Sequence, residues 1–264
     1  MSLSKKLKRN HQENEKNGEK IKIWRIDNMK PNDETWACLI CGKPIVYYEK
    51  EKEFECSICH KKFMSNASCE NGHFICDSCH GNLAMIVIAS NCLKSESKNP
   101  FEIVEEAMKT KEIHMHGPEH HVLVGASILT AFKNAGGVLD FENALEQMIS
   151  RGGKYPGGSC GFWGCCGAAV SIGMAMSIIT KATPLTKKSW SQSNAITGKI
   201  LQRLAEQGGP RCCKRNSFSA VIEAVDFIKE EFNITMELPD RIECHFSSQN
   251  RECLKENCPY FVRN

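Results

Sequence analysis

The sequence predicts a mostly α fold, with a small cysteine-punctuated module followed by a cysteine-rich helical domain of about six helices. Three observations carry this expectation. Apolar residues recur at helical spacing almost without interruption after residue 80. Alternating β-branched runs are scarce, with YYEKEKEFEC and NITMEL the best strand candidates. The segment from Trp36 to Cys79 is short, turn-rich and broken by cysteine pairs.

Residues 1–35 lack periodicity and read as a disordered basic tail, residues 36–80 as the cysteine module, and residues 81–264 as the helical domain. In chain order, GNLAMIVIASNCLK reads as a buried helix. Asn99 and Pro100 are placed as N-cap and first residue of the next helix. Gly117-Pro118 opens PEHHVLVGASILTAFKNAGG, which Gly136 is placed to end. LDFENALEQMISRGG sets Phe141, Leu145, Met148 and Ile149 at helical spacing. GAAVSIGMAMSIIT is apolar nearly all round and is expected at the centre. SQSNAITGKILQRLAEQGG and NSFSAVIEAVDFIKEEFN complete the set, the last capped by Asn216 or Ser217.

The chain has 264 residues, 41% of them hydrophobic, enough to bury a sizeable core. Its net charge is +3, yet residues 1–30 hold nine Lys/Arg against four Asp/Glu. Basicity therefore belongs to the tail, and nucleic-acid binding is not expected. The chain carries 16 cysteines and opens without an apolar signal segment. A cytoplasmic location follows as the expectation, and in a reducing compartment such thiol density points to metal, iron–sulfur or redox chemistry rather than disulfides. Tyr155 to Thr180 carries no charge, but its apolar helical half spans roughly 21 Å, short of the ~30 Å hydrocarbon core. A membrane span is therefore not expected.

The first module reads Cys38-x2-Cys41, Cys56-x2-Cys59, then Cys69-x3-His73-x2-Cys76-x2-Cys79. Two such knuckles complete a tetrahedral site, and eight ligands make two, so two structural zinc ions are expected. CENGHFICDSC resembles the middle of a RING finger, and the whole stretch is similar to a zinc-ribbon/RING-like knuckle module. The final Cys-x2-Cys of a RING is missing downstream, and the upstream pair Cys38 and Cys41 can take its place. Ligand pairing stays open between a sequential arrangement and a crossed one in which Cys56, Cys59, Cys76 and Cys79 share one ion.

His114, His116, His120 and His121 crowd a helix start in IHMHGPEHH. Imidazoles there are expected to be kept neutral by the helix dipole and to serve as metal ligands or bases. His116 and His120 are the leading candidates for an active site, with His114 and His121 as further metal ligands. The Gly-rich GGKYPGGSCGFWGCCGAA brings Cys160, Cys165 and Cys166 to another helix start, where the dipole is expected to acidify a thiol, and the three are expected to be catalytic, facing one pocket with His116 and His120. Its Cys-Cys-Gly triplet is similar to cluster-holding modules of heterodisulfide reductases, without the Cys-x2-Cys that follows there. Cys244, Cys253 and Cys258, with Cys212 or Cys213, are expected to hold an iron–sulfur cluster of the [4Fe–4S] kind, the Cys258-Pro259 ending being common in ferredoxin-type loops. Cys92 reads as simple core.

Taken together, the two knuckle pairs, IHMHGPEHHVLVGA, GGKYPGGSCGFWGCCGAAVSIG, GPRCCKRN and ECLKENCPYF resemble an uncharacterised cysteine-rich family, a domain of unknown function found mainly in anaerobic bacteria and methanogenic archaea. The resemblance implies kinship and an anoxic cytosol, and it carries no reaction. The residues themselves lead to an oxygen-sensitive metalloprotein, an iron–sulfur-dependent sulfurtransferase or oxidoreductase. Its expected partners are a small-molecule or thiol substrate and a redox or sulfur-donor protein. The alternative is a non-catalytic zinc/iron–sulfur adaptor or sensor for a protein partner.

Overall fold

The computed structural model describes residues 13–16, 19–22, 38, 40, 41, 43–57 and 59–263. The chain divides into two compact units, Met1–Cys79 and His80–Asn264. The expected disordered tail lies outside the described residues, apart from β1 (Glu13–Lys16) and β2 (Glu19–Lys22), which pair antiparallel.

The first unit is built on the hairpin of β3 (Ile45–Glu55) and β4 (Lys62–Cys69). The strand expected at YYEKEKEFEC is β3. Its partner β4 went unread because KFMSNASC lacks the β-branched pattern that marks strands. Phe54 pairs with Phe63 across the ladder, and the rings of Phe54 and Phe63 lie 5.7 and 6.1 Å from that of Phe74. This aromatic patch, with Cys56, Cys76 and Cys79, is too small a core to hold a fold of this length without a staple.

The second unit is helical, matching the mostly α expectation. It contains α1 (Asp77–Lys94, which begins at the end of the first unit), α2 (Pro100–Met108), α3 (His120–Asn134) and α4 (Phe141–Gly152). These are followed by the single turn α5 (Ser159–Phe162), then α6 (Gly167–Ile179), α7 (Lys188–Gln207) and α8 (Cys213–Phe232). Asn99 caps α2 as expected, its side chain accepting from the amides of Phe101 and Glu102. For α8 the cap is Cys212 rather than Asn216 or Ser217, and its Sγ accepts from the Arg215 amide at 3.4 Å. A thiol does here what the usual capping residues do, so the helix starts a turn earlier than propensity suggests. NITMEL is not a strand. Its first residue, Asn233, is the left-handed cap that ends α8, the rest is loop with no strand beside it among the described residues, and the Glu237 amide bonds the Lys98 carbonyl.

Two helices form the centre. α6 packs against α3, α4, α7 and α8, as its all-round apolar sequence predicts. α3 is equally central, with every residue from His120 to Phe132 buried. The two approach closely at Gly125, whose amide donates to Ser171 Oγ at 2.8 Å. A Cβ added to Gly125 would lie 2.8 Å from the Ser171 carbonyl oxygen, whereas one added to Gly198 on α7 meets nothing. Among the described residues, no helix is long and apolar enough to cross a membrane.

Gly125→Val is therefore expected to destabilise the chain by about 1–3 kcal/mol through overpacking. Gly198→Ala should be neutral or stabilising by up to about 1 kcal/mol. Thermal unfolding followed by circular dichroism checks both, and an unchanged midpoint for Gly125→Val contradicts this packing.

Candidate metal and thiol sites

The hairpin decides how the first eight ligands pair. Strands β3 and β4 carry the chain out and back, so that Cys69 returns opposite Ile45 and the Glu70 amide bonds the Pro44 carbonyl. Cys69 and His73 are thereby delivered to Cys38 and Cys41. At the turn of the hairpin, the Cys56–Cys59 knuckle meets Cys76 and Cys79. The arrangement is the crossed one, with Cys38, Cys41, Cys69 and His73 in one group and Cys56, Cys59, Cys76 and Cys79 in the other.

Within each group all donor atoms lie within 4.8 Å of one another. Tetrahedral thiolates bound at about 2.3 Å stand about 3.8 Å apart. Cys41–Cys69 and Cys59–Cys76 Sγ pairs are each 3.8 Å apart, and His73 Nδ1 lies 3.3 to 3.8 Å from its three thiols. Backbone amides approach the sulfurs as well: His73 N donates to Cys69 at 3.3 Å, and Cys76 N to Cys56 at 3.4 Å. Burial first, then the neighbouring Cys59, Cys76 and Cys56, push the Cys79 thiol up to about 12. Thiols packed this tightly are favoured as thiolates by a cation, so each group, four thiols in one and three thiols with an imidazole in the other, could hold a metal ion.

The eight cysteines from Cys160 onward are organised differently. Cys212, Cys244, Cys253 and Cys258 line one largely apolar pocket with Met115, Phe246 and Leu254. Cys244 is fixed there by its amide bond to the Tyr260 carbonyl at 2.7 Å, and Cys258 by its own to Lys255 at 2.7 Å. Three N–H groups reach its sulfurs: Arg215 N and Asn250 Nδ2 on Cys212, at 3.4 and 3.5 Å, and Lys255 N on Cys253 at 3.4 Å. Among the described residues, no three of these donors lie mutually within 4.8 Å, unlike the two groups above. Two thiolates on a single ion at about 2.3 Å cannot stand more than about 4.6 Å apart. Cys213 does not line this pocket. It faces the Gly117 amide and the vicinity of Cys166 and Glu119.

Burial, not the helix dipole, governs the thiols of Cys166, Cys212, Cys213 and Cys92. Cys166 is the N-cap of α6, yet burial raises its thiol, against the expected acidification, even with Asn216 Nδ2 donating to its Sγ at 3.3 Å. Burial likewise pushes Cys213 up to about 12 and raises Cys212. Cys92 is buried core, and burial pushes it up to about 11.

The four histidines point in different directions. Glu119 joins two of them, accepting from the His114 amide at 2.9 Å, with His114 Nδ1 at 3.3 Å and His120 Nδ1 at 3.8 Å. Burial opposes its charge, but His114 and His120 hold its carboxyl at about 2. His120 is 1% exposed, and burial, then Lys214, depresses it to about 3. Its Nδ1 faces the Gly117 carbonyl at 3.1 Å, leaving Nε2 buried and without a partner. His116 mirrors this: Nε2 faces Asn250 Oδ1 and Glu252 Oε2 at 3.2 and 3.0 Å, and Nδ1 is buried without a partner. His121 donates through Nδ1 to the Tyr155 carbonyl at 3.1 Å, and its ring presses on Gly167. Tyr155 in turn bonds the Cys165 carbonyl at 2.9 Å.

Sequence reasoning missed Asn250, which joins His116 to Cys212. It also missed Lys214, 1% exposed, with Nζ 3.3 Å from the Ile113 carbonyl and 4.9 Å from the Phe246 ring centroid. A lysine following two cysteines at a helix start was the available signal for the second. Asn250 has none, since only the folded loop brings it to the thiol.

Fold and thiol inventory define a cysteine-rich, mostly helical protein with two donor groups of single-ion size. The chain belongs to the Family of unknown function (DUF5714), which it matches over residues 88–261. No curated protein and no solved structure matches it significantly.

Two outcomes follow. Cys76→Ser should release one of two tightly bound ions and leave the Cys38/Cys41/Cys69/His73 ion in place; metal analysis of purified variants checks this, and loss of both would contradict separate sites. Because folded His120 and Glu119 take up protons only at about 3 and 2, the unfolded chain binds more protons below pH about 6.5. Stability should therefore fall as pH drops from 6.5 toward 3, and His120→Leu should flatten that decline in urea-midpoint measurements.

Proposed function

We propose that the protein is an oxygen-sensitive metalloprotein with two structural zinc ions in its first unit and an iron–sulfur centre in its second, working in sulfur transfer or thiol redox chemistry. The observation that carries the reading is the pocket of Cys212, Cys244, Cys253 and Cys258. Four thiols converge on apolar surroundings, spaced too widely for one ion, with N–H groups aimed at two of the sulfurs. Such donors favour a polynuclear centre and tune its potential.

The two first-unit groups suit zinc, since their edges match a thiolate-rich tetrahedron and their ligands are soft. Zinc there supplies folding energy, not chemistry. When bound, an iron–sulfur centre would supply one-electron transfer. The chain's own residues support it: Asn250 Nδ2 steadies the Cys212 sulfur, its Oδ1 accepts from His116, and the Lys214 ammonium offsets thiolate charge. His120 stays neutral at ordinary pH, which suits a ligand and makes it a weak base. The buried lone pairs of His116 Nδ1 and His120 Nε2 point to a bound group, because a ligating imidazole characteristically donates its other N–H to an oxygen.

An anoxic cytosol, a thiol substrate and a redox or sulfur-donor protein partner belong to this reading. One observation favours the adaptor or sensor alternative: the first unit leaves Ile40, Tyr47 and Met64 substantially exposed.

Anaerobic reconstitution with iron and sulfide, followed by iron, sulfide and EPR analysis, tests the proposal. The full chain should bind iron and acid-labile sulfide, and Cys253→Ala with Cys258→Ala should remove the pocket's share. Zinc alone, with no iron or labile sulfide, would sink it.

A further inference from the structure

Besides the core thiol Cys92, four thiols of the helical unit stay outside the pocket: Cys160, Cys165, Cys166 and Cys213. The structure sets three of them, Cys160, Cys166 and Cys213, near one another, and Cys165 precedes Cys166 in the chain. Successive helix residues diverge by about 100°, so the adjacent pair at the start of α8 faces two ways. Cys212 looks into the pocket, while Cys213 meets the Gly117 amide and lies near enough to Cys166 to feel its charge. Asn216, one turn beyond Cys213 on the same face, donates to Cys166 Sγ at 3.3 Å, which sets this face of α8 against the start of α6.

Cys160 is near enough to Cys166 for their charges to interact. The loop bearing it is folded tightly by Gly158 and Gly164, at φ +81° and +64°, conformations that favour glycine. It closes where the Cys165 amide bonds the Ser159 carbonyl at 3.2 Å, and Tyr155 holds the Cys165 carbonyl.

A second observation adjoins this group. Gly117 turns its N–H toward Cys213 and its carbonyl toward His120 Nδ1, and His120 is the fully buried imidazole whose Nε2 has no partner. As in the pocket, among the described residues no three of these donors lie mutually within 4.8 Å, so a single ion held by three of them does not fit.

We propose that Cys160, Cys165, Cys166 and Cys213 hold a second iron–sulfur centre, next to the first and linked to it through the adjacent Cys212 and Cys213. This rests on the iron–sulfur reading of the pocket. Juxtaposed centres would let an electron pass between them without leaving the protein, and the second, beside the glycine loop, would be the one closer to incoming thiols.

The test uses the full chain, reconstituted anaerobically with iron and sulfide. Two [4Fe–4S] centres predict about eight iron and about eight labile sulfides per chain. Cys166→Ala with Cys213→Ala should remove about half, Cys253→Ala with Cys258→Ala the other half, each with zinc content and helical circular dichroism unchanged. The dithionite-reduced wild type should show spin–spin broadening that either double variant lacks.

A readout without substitutions guards against misfolding. In the reconstituted wild type, Cys160, Cys165, Cys166 and Cys213 should resist alkylation, read by peptide mass mapping. About four iron per chain, lost only with Cys253 and Cys258, with those four thiols alkylated or with Cys166 and Cys213 in a disulfide, overturns the second centre and leaves the pocket standing. Absence of iron throughout overturns both.

Discussion

Sulfur held away from water becomes a thiolate only beside positive charge or strong hydrogen-bond donors, and this constraint governs both units. In the first unit, a two-stranded hairpin and three aromatic rings offer little core for some forty residues, and the two four-donor groups beside them could hold metal ions that would staple it. In the second unit the core is ample, centred on α3 and α6, and thiols are spread over its loops and helix starts. Burial there raises Cys166, Cys212 and Cys213 despite the helix N-termini beside them.

The same balance explains the polar residues buried in the helical unit. Glu119, at the start of α3, keeps its charge through His114 and His120, while Lys214 on α8 is held between the Ile113 carbonyl and the Phe246 ring. Burial drives this lysine down to about 8, and Glu119 with Cys213, Cys212 and Cys244 acts the other way. A lysine in that position brings positive charge to the thiol pocket, and the apolar wall makes that charge felt.

Much of the fold was legible in the sequence. Helices α2, α4, α6 and α7 follow from caps and periodicity, because Asn99, Pro100 and the spacing of Phe141, Leu145 and Met148 act locally. The crossed ligand pairing was not legible, since it depends on β4, whose KFMSNASC has little strand character, and on the register that returns Cys69 to Ile45. The separation of Cys212 from Cys213 was hidden for a related reason. Nothing in a Cys-Cys pair says which thiol faces which way until the helix start is fixed, and Cys212 as its own cap fixes it. The expected acid thiol at Cys166 failed because the dipole argument left burial out.

The thiols sort by spacing, into two groups of single-ion size in one unit and wider-set groups, proposed above to be polynuclear, in the other. X-ray absorption at the zinc and iron edges of the anaerobically prepared full chain tests this sorting most directly. The account predicts zinc in a sulfur-dominated shell at about 2.3 Å with no neighbouring metal, and iron in a sulfur shell with an iron–iron distance. Zinc alone at every site, or iron without an iron neighbour, would contradict it.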